Sequence, residues 1–203
     1  MKKTTLIVIV LSFFCLVNLA WGEMDLKKIK KLAESGDAKA QFNLGVMYED
    51  GKGVPQSYAE AVKWFRKAAD QGYAKAQFSL GRIYLWSKYG NYAEAMKWYR
   101  KAADQGHAAA QFNLAMMFSN GKGVPQNFIK AYVWLSVASA NGDKATKKYL
   151  DDILSPKMTP QQIAQAQNEA AELREKINKT IVFFHPKNSR TGVKSFSILI
   201  KIS

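Results

Sequence analysis

This chain copies itself. Ala40-Gln41-Phe42-Asn43-Leu44-Gly45 returns as Ala76-Gln77-Phe78-Ser79-Leu80-Gly81, and again as Ala110-Gln111-Phe112-Asn113-Leu114-Ala115. The stretch from Ala59 to Gly72 (AEAVKWFRKAADQG) is echoed from Ala93 to Gly106 (AEAMKWYRKAADQG). A third copy keeps Ala131, Trp134, Ala138 and Gly142. The glycines that close the units, Gly36, Gly72, Gly106 and Gly142, stand 36, 34 and 36 residues apart. Repeats of that period stack, because no single unit can bury its own apolar face.

Each unit reads as two helices. In the first, Ala40, Leu44 and Tyr48 follow i, i+4, i+8 and share one face, bordered by Gln41 and Gly45. In the second, Ala61, Trp64, Phe65 and Ala68 follow i, i+3, i+4, i+7. Small residues such as Gly45, Ala61 and Ala68 let helices approach closely, and Tyr48 and Trp64 fill the space between. Ser57-Tyr58-Ala59-Glu60 predicts a capping box, with the serine accepting from the first turn and the glutamate reaching back. Asn91 and Glu94 repeat it, and Asn127 holds the place in the third copy, where Lys130 replaces the acid. Gly72, Gly106 and Gly142 sit where a helix ends in a left-handed residue. The connector Gly51-Lys52-Gly53-Val54-Pro55-Gln56 recurs at Gly121 to Gln126. It does not fit a phosphate loop, which needs G-x-x-x-x-G-K-[ST] between a strand and a helix. Its glycines suit left-handed turn positions, Val54 can tuck in as a plug, and Pro55 stiffens the approach to the Ser57 cap.

The pattern A-x-A-Q-x-x-L-G-x-x-Y, then G-x-G-V, then A-x-x-W-[YF]-x-K-A-A-[DE]-x-G resembles the Sel-one-like repeat family, relatives of the tetratricopeptide repeats. It runs almost continuously from residue 38 to 142. The resemblance implies an all-α fold: an α-solenoid, a right-handed superhelix of antiparallel helix pairs, with three repeats and helical caps at both ends. The expected divisions are a signal peptide (1–22), an amino-terminal capping helix (23–36), repeats at 37–72, 73–106 and 107–142, carboxy-terminal capping helices (143–179) and a basic tail (180–203). Two departures stand out. The middle copy replaces the glycine-rich loop by Leu85-Trp86-Ser87-Lys88-Tyr89-Gly90 in a connection two residues shorter, and the third has Ala115 where the others have glycine.

A stack needs covered ends. Leu26, Ile29, Leu32 and Ala33 form an amphipathic half-unit before the first repeat. At the other end, Tyr132-Val133-Trp134-Leu135-Ser136-Val137-Ala138 is unusually apolar and calls for a cover. Two segments can supply it: a helix around Lys144 to Leu154, and a second capped by Thr159 with Pro160 at its first position and Gln162 completing a box. The second carries a stripe of Ile163, Ala166, Ala170, Leu173 and Ile177. A dimeric coiled-coil seam is the rival, but the run is about two heptads rather than the three or four such a seam needs, so a monomer is expected. From Thr180 the character changes. Ile181-Val182-Phe183-Phe184 and Phe196 to Ile200 look like strands, to be paired as a hairpin, completed by a partner or left disordered.

The first residues have another purpose. Lys2-Lys3, a largely apolar run from Leu6 to Leu19 and Ala20-Trp21-Gly22 have the anatomy of a secretory signal peptide cleaved after Gly22. The run is short for a spanning helix, and Asn18 interrupts it. The expectation is an exported bacterial protein, periplasmic or secreted, with no integral membrane segment in the mature chain. Cys15, the single cysteine, lies inside that run. Net charge is +14. Lys176, Lys179, Lys187, Arg190, Lys194 and Lys201 have no acid beyond Glu175 to offset them, and Lys27, Lys28, Lys30 and Lys31 form a second group. Such charge favours solubility or anionic surfaces; an exported protein is a poor candidate for nucleic acid.

Nothing in the sequence assembles a catalytic centre. His107 and His185 lack neighbours at metal-ligand spacing, Glu60 and Glu94 are committed to caps, and neither G-x-S-x-G nor H-E-x-x-H occurs. The expectation is a non-enzyme with no cofactor or metal. Some cysteine-rich family relatives are associated with β-lactam binding or hydrolysis, which makes a β-lactamase-like envelope hydrolase the alternative; the disulfide those relatives carry in each repeat is absent here, which counts against that alternative. A basic envelope-binding module is a further one. The family resemblance places the first helices on a concave groove. With Ala40, Leu44 and Tyr48 turned inward, the groove receives Lys39, Phe42, Asn43 and Val46, then Lys75, Phe78, Ser79 and Arg82, then Phe112, Asn113 and Met116. The phenylalanines either supply anchor pockets or pack within the stack. The asparagines can bond a peptide backbone, and Lys39, Lys75 and Arg82 favour an acidic protein or peptide partner.

Overall fold

In a computed structural model the described residues are 26–86, 90–140 and 144–184, and they contain helices and turns without a strand. The expected signal peptide, Gly142, His185 and the strand expected at Phe196 to Ile200 lie outside them. The helices are α1 (26–34), α2 (Ala38–Asp50), α3 (Tyr58–Asp70), α4 (Ala74–Trp86), α5 (Tyr92–Ala103), α6 (Ala108–Asn120), α7 (Phe128–Ser139), α8 (Lys144–Tyr149) and α9 (Pro160–Phe184). They fall into two compact units, divided between residues 89 and 90. The first holds α1 to α4 and the second α5 to α9.

The caps act where the local chemistry places them. Ser57 Oγ accepts from the Glu60 backbone N–H at 3.3 Å, Asn91 Oδ1 from Glu94 at 3.0 Å and Asn127 Oδ1 from Lys130 at 2.8 Å. The returning arm of the box differs from expectation. Glu60 and Glu94 turn to Lys63 and Lys97, at 3.5 and 3.4 Å, forming i, i+3 pairs on the helix surface instead. The reciprocal box forms at Thr159, where Gln162 Oε1 accepts from the Thr159 N–H at 2.9 Å and Thr159 Oγ1 from the Gln162 N–H at 3.2 Å. Gly36, Gly72 and Gly106 have φ of 100°, 88° and 84°, the left-handed conformation that only glycine adopts cheaply.

The repeated connector is a helix-ending turn. Gly51 and Gly121 close α2 and α6 in left-handed conformation, and their N–H groups reach Met47 and Met117. Gln56 Nε2 donates to the Glu49 carbonyl at 2.9 Å, and Gln126 Nε2 to that of Ser119 at 2.8 Å, so the last letter of each connector satisfies the helix before it. Val54 is buried as the plug.

In the first unit, Ala33, Ala40, Leu44 and Trp64 form a core against which Leu26, Ile29, Met47 and Tyr48 pack. Phe65 is fully buried beside Gly45: a Cβ at Gly45 would stand 2.6 Å from the Phe65 ring. Burying such a ring stabilises by about 1.5–3 kcal/mol, and the missing methyl is what lets it in. In the second unit the equivalent positions hold Ala115 and Leu135, both fully buried, so a smaller partner side chain accompanies the extra methyl.

The apolar α7 is covered as its sequence required, within its own unit. Ala166, Ala170 and Ile177 of α9 are buried, Gln167 donates to Tyr132 Oη and Arg174 to Ser136 Oγ, both at 3.4 Å, and α9 packs along α7. The stripe proposed for a dimer seam is thus taken up inside the chain. The first covering segment is less regular than a single helix: α8 gives way to a π-helical turn (Leu150–Leu154) and a 3₁₀ turn (Ser155–Lys157), which bury Leu150 and Leu154. The strand expected at Ile181 to Phe184 is instead the end of α9. Ile181 lies four residues beyond Ile177 and continues its stripe onto Gly106, where a Cβ would come within 2.8 Å of Ile181 Cδ1. That contact outweighs the weak preference of β-branched residues for strands.

Candidate functional site

The predicted groove residues lie on α2, α4 and α6, but they do not behave alike. On α2, Lys39 and Asn43 are exposed, Val46 is half-buried, and Phe42 packs against Phe65 and Tyr73, with ring centroids 5.7 and 5.4 Å apart. On α4, Lys75 and Arg82 are exposed and Phe78 is half-buried, but Ser79 is buried, 7% exposed. On α6, Phe112, Asn113 and Met116 are half-buried, and Phe112 meets Tyr149 of α8 edge-on at 6.2 Å. The rings of Phe42 and Phe112 therefore serve packing within their own units, and Ser79 is not presented at the surface. Apolar side chains at these first-helix positions find neighbours because stacked repeats cohere through such contacts.

A different cluster opens to solvent. Exposed Lys75, Arg82 and Trp86 follow i, i+7, i+11 along α4, one stripe of that helix, with Ser79 buried between them. At its carboxy-terminal end Arg82 pairs with Glu49 of α2 and holds that carboxylate, whose side chain is 15% exposed against 44% for Arg82. Around this pair Tyr58, Ile83 and Trp86 complete a cleft of about 600 Å³ within the first unit. Trp86 is 80% exposed and Tyr58 61% exposed, the two most open large apolar side chains among the described residues. Arg66 donates to Tyr84 Oη on another side of α4 and so braces the helix that carries the tryptophan.

Sequence reasoning singled out Arg82 and missed Glu49, Tyr58, Ile83 and Trp86. The signal was available. Trp86 occupies the place held by Asp50 and Asn120 in the other copies, a solvated helix end. A tryptophan there faces water by register. Tyr58, similarly, follows an N-cap, where little of a helix is buried.

No group of three or more His, Cys, Asp or Glu side chains among the described residues converges in a way that could hold a metal. His107 caps α6, its Nδ1 accepting from the Ala110 N–H at 3.4 Å. Asp37 does the same for α2 at 2.6 Å, and Asp104 binds Arg100 at 3.0 Å. No described helix is long and apolar enough to cross a membrane.

A three-copy feature also escaped the sequence. Gln41, Gln77 and Gln111 are buried, and each Nε2 donates to a carbonyl eight residues back, that of Ala33, Ala69 and Ala103, at 3.0, 3.1 and 3.0 Å. The acceptors lie in the last turn of the preceding helix, where carbonyls lack partners in their own helix. An amide recurring in an apolar stripe is the signal, because a buried polar group requires a partner.

The model of the Sel1 repeat matches residues 38–73, 74–107 and 108–143, more than half of the chain. A solved Sel1 repeat protein from Oxalobacter formigenes is 37% identical with a TM-score of 0.58, covering 63% of this chain and 98% of its own. The structure of c5321, a protective antigen present in uropathogenic Escherichia coli with an SLR fold, is 27% identical with a TM-score of 0.56 over 85% of this chain and 45% of that one. The secretory immunoglobulin A-binding protein EsiB of Escherichia coli O6:H1 is 43% identical over 67 residues, which are 32% of this chain and 14% of that protein. The chain thus matches a small part of that relative's length. These repeats generally form non-enzymatic scaffolds for protein–protein interaction. With its three matched repeats and its all-α, solenoid-class helix pairs, the chain belongs to the Sel1 repeat family.

Proposed function

We propose that this protein is an exported, monomeric scaffold that takes up a segment of a protein partner on the first-helix face of its amino-terminal unit. The observation that carries this reading is the cleft where exposed Trp86 and Tyr58 flank the Arg82–Glu49 pair. Exposed aromatic residues with an arginine are the side chains that dominate protein recognition energetically. Lys39 and Asn43 lie on α2 with Glu49, Lys75 lies on α4 with Arg82 and Trp86, and they would contact flanking parts of the ligand. Asn113 and Met116 offer a separate, lesser surface in the second unit. The amino-terminal leader pattern supports export, as does likeness to a protein named a protective antigen. Likeness to a protein named for binding secretory immunoglobulin A supports a protein ligand. Arg82 is neutralised by Glu49, so the preference for an acidic partner rests on Lys39 and Lys75 alone.

The test is capture from envelope extracts on the immobilised chain lacking residues 1–22, with retained proteins identified by mass spectrometry. Trp86→Ala with Tyr58→Ala is expected to abolish retention of a protein that the unaltered chain captures, while deletion of residues 185–203 leaves it. Capture indifferent to the double substitution but lost with the tail would replace this reading with a basic envelope-binding module.

A further inference from the structure

The cleft's chemistry narrows the ligand. Trp86 offers an indole N–H that donates only, and the Arg82 guanidinium has five N–H donors with Glu49 taking one of them. Among the described residues that line the cleft Glu49 is the one acid, and its carboxylate pairs with Arg82. The Tyr58 hydroxyl lies 3.5 Å from Gln56 Nε2, which donates to it, leaving its own proton to give. The described side chains of the cleft therefore present mainly donors and ring faces, and its carboxylate is paired with its guanidinium.

A β-strand brings a row of backbone N–H groups, for which the described lining side chains offer one carboxylate, already paired with Arg82. An α-helix brings a backbone already satisfied. An acidic segment must compete with Glu49 for Arg82. A proline-rich segment in polyproline II conformation brings carbonyl acceptors, apolar rings and few or no N–H groups. Its backbone is also ordered before binding, which lowers the entropic cost on an open surface. Resting on the reading of the cleft as the binding site, we propose that its occupant is a neutral, proline-rich segment of the partner protein, laid across Trp86 and Tyr58 with its carbonyls toward Arg82 and the Trp86 indole N–H.

The test is fluorescence anisotropy of a labelled, end-capped oligoproline of about ten residues, long enough for three polyproline turns, titrated with the full chain. End-capped acidic, alanine-rich helical and valine/threonine-rich peptides of the same length are run beside it. Oligoproline is expected to bind saturably, with little change between about 0.05 and 0.5 M salt because no net charge is involved. Trp86→Ala is expected to weaken it at least about tenfold, as for an aromatic hot spot. Arg82→Gln should weaken it less, and Lys122→Ala, at an exposed lysine in the second unit's connector, not at all. Trp86 is 80% exposed, so its removal leaves the core untouched, and a far-UV dichroism spectrum verifies this. Absence of saturable oligoproline binding, or binding unchanged in Trp86→Ala, overturns the proposal. If another of the peptides binds in a Trp86-dependent way, the cleft stands as the site and the proline assignment falls. If neither peptide binding nor partner capture depends on Trp86 and Tyr58, both fall.

Discussion

Gly45 shows how one missing methyl organises a helix pair. Its place against the Phe65 ring leaves no room for a Cβ, because the nearest ring atom would stand at 2.6 Å. Gly45→Ala is expected to destabilise the protein by about 1–3 kcal/mol, the cost of overpacking a filled core. Adding Phe65→Leu should return part of that loss, since Ala115 and Leu135 already hold the equivalent places in the third repeat. The two changes would then be non-additive in a double-mutant cycle read by urea denaturation. Strict additivity would mean that ring and backbone do not meet as described. The glycine's small size was legible in the sequence from its place beside the apolar stripe. The partner it accommodates was not, because contacts between helices depend on rotation and tilt that the stripe alone leaves open. Trp86 fails the same way in reverse: its type suggests a core residue, and only its register, shared with Asp50 and Asn120, reveals that it faces water.

Among the elements, α9 has the clearest task. Ala170 is fully buried on the side packed against α7, while its neighbour Ala171 is exposed. Ala170→Glu is expected to cost about 3 kcal/mol or more by placing an unpaired charge against an apolar helix. It should also produce self-association by light scattering as the face of α7 beside Tyr132 and Ser136 loses its cover. Ala171→Glu, one residue away, should stay within about 0.5 kcal/mol of the unaltered protein. Equal effects from both would show that α9 does not seal α7. The helix, its cap and its stripe were all readable in advance, because caps and periodicity are local. Its end was not: Ile181 has no local reason to remain helical, and it does so through its contact with Gly106, distant in sequence.

For the molecule as a whole, the repeats distribute acids at caps and ion pairs, such as Glu60 with Lys63 and Asp104 with Arg100, rather than converging them. Hydrolysis of a β-lactam needs a nucleophile and a base within hydrogen-bond reach. Purified protein is accordingly expected to leave nitrocefin intact, and turnover that stays proportional to protein through further purification would overturn the scaffold reading. The fold class was legible because a repeated sequence states its architecture three times over. The cleft was obscured for the same reason: it is built where the middle copy departs from the pattern, and a reading guided by what recurs passes over what occurs once. The glutamine clamp carries a consequence for how such chains grow. Donor and acceptor lie eight residues apart, so a duplication or loss of one whole period rejoins an equivalent donor to an equivalent acceptor wherever the breakpoints fall in matching register. The contact between one repeat's first helix and the helix before it is thus inherited with the copied segment. Recombination can lengthen the array without inventing a new contact, until it reaches a unit such as the one after Gly142, where Lys147 stands in the glutamine's place.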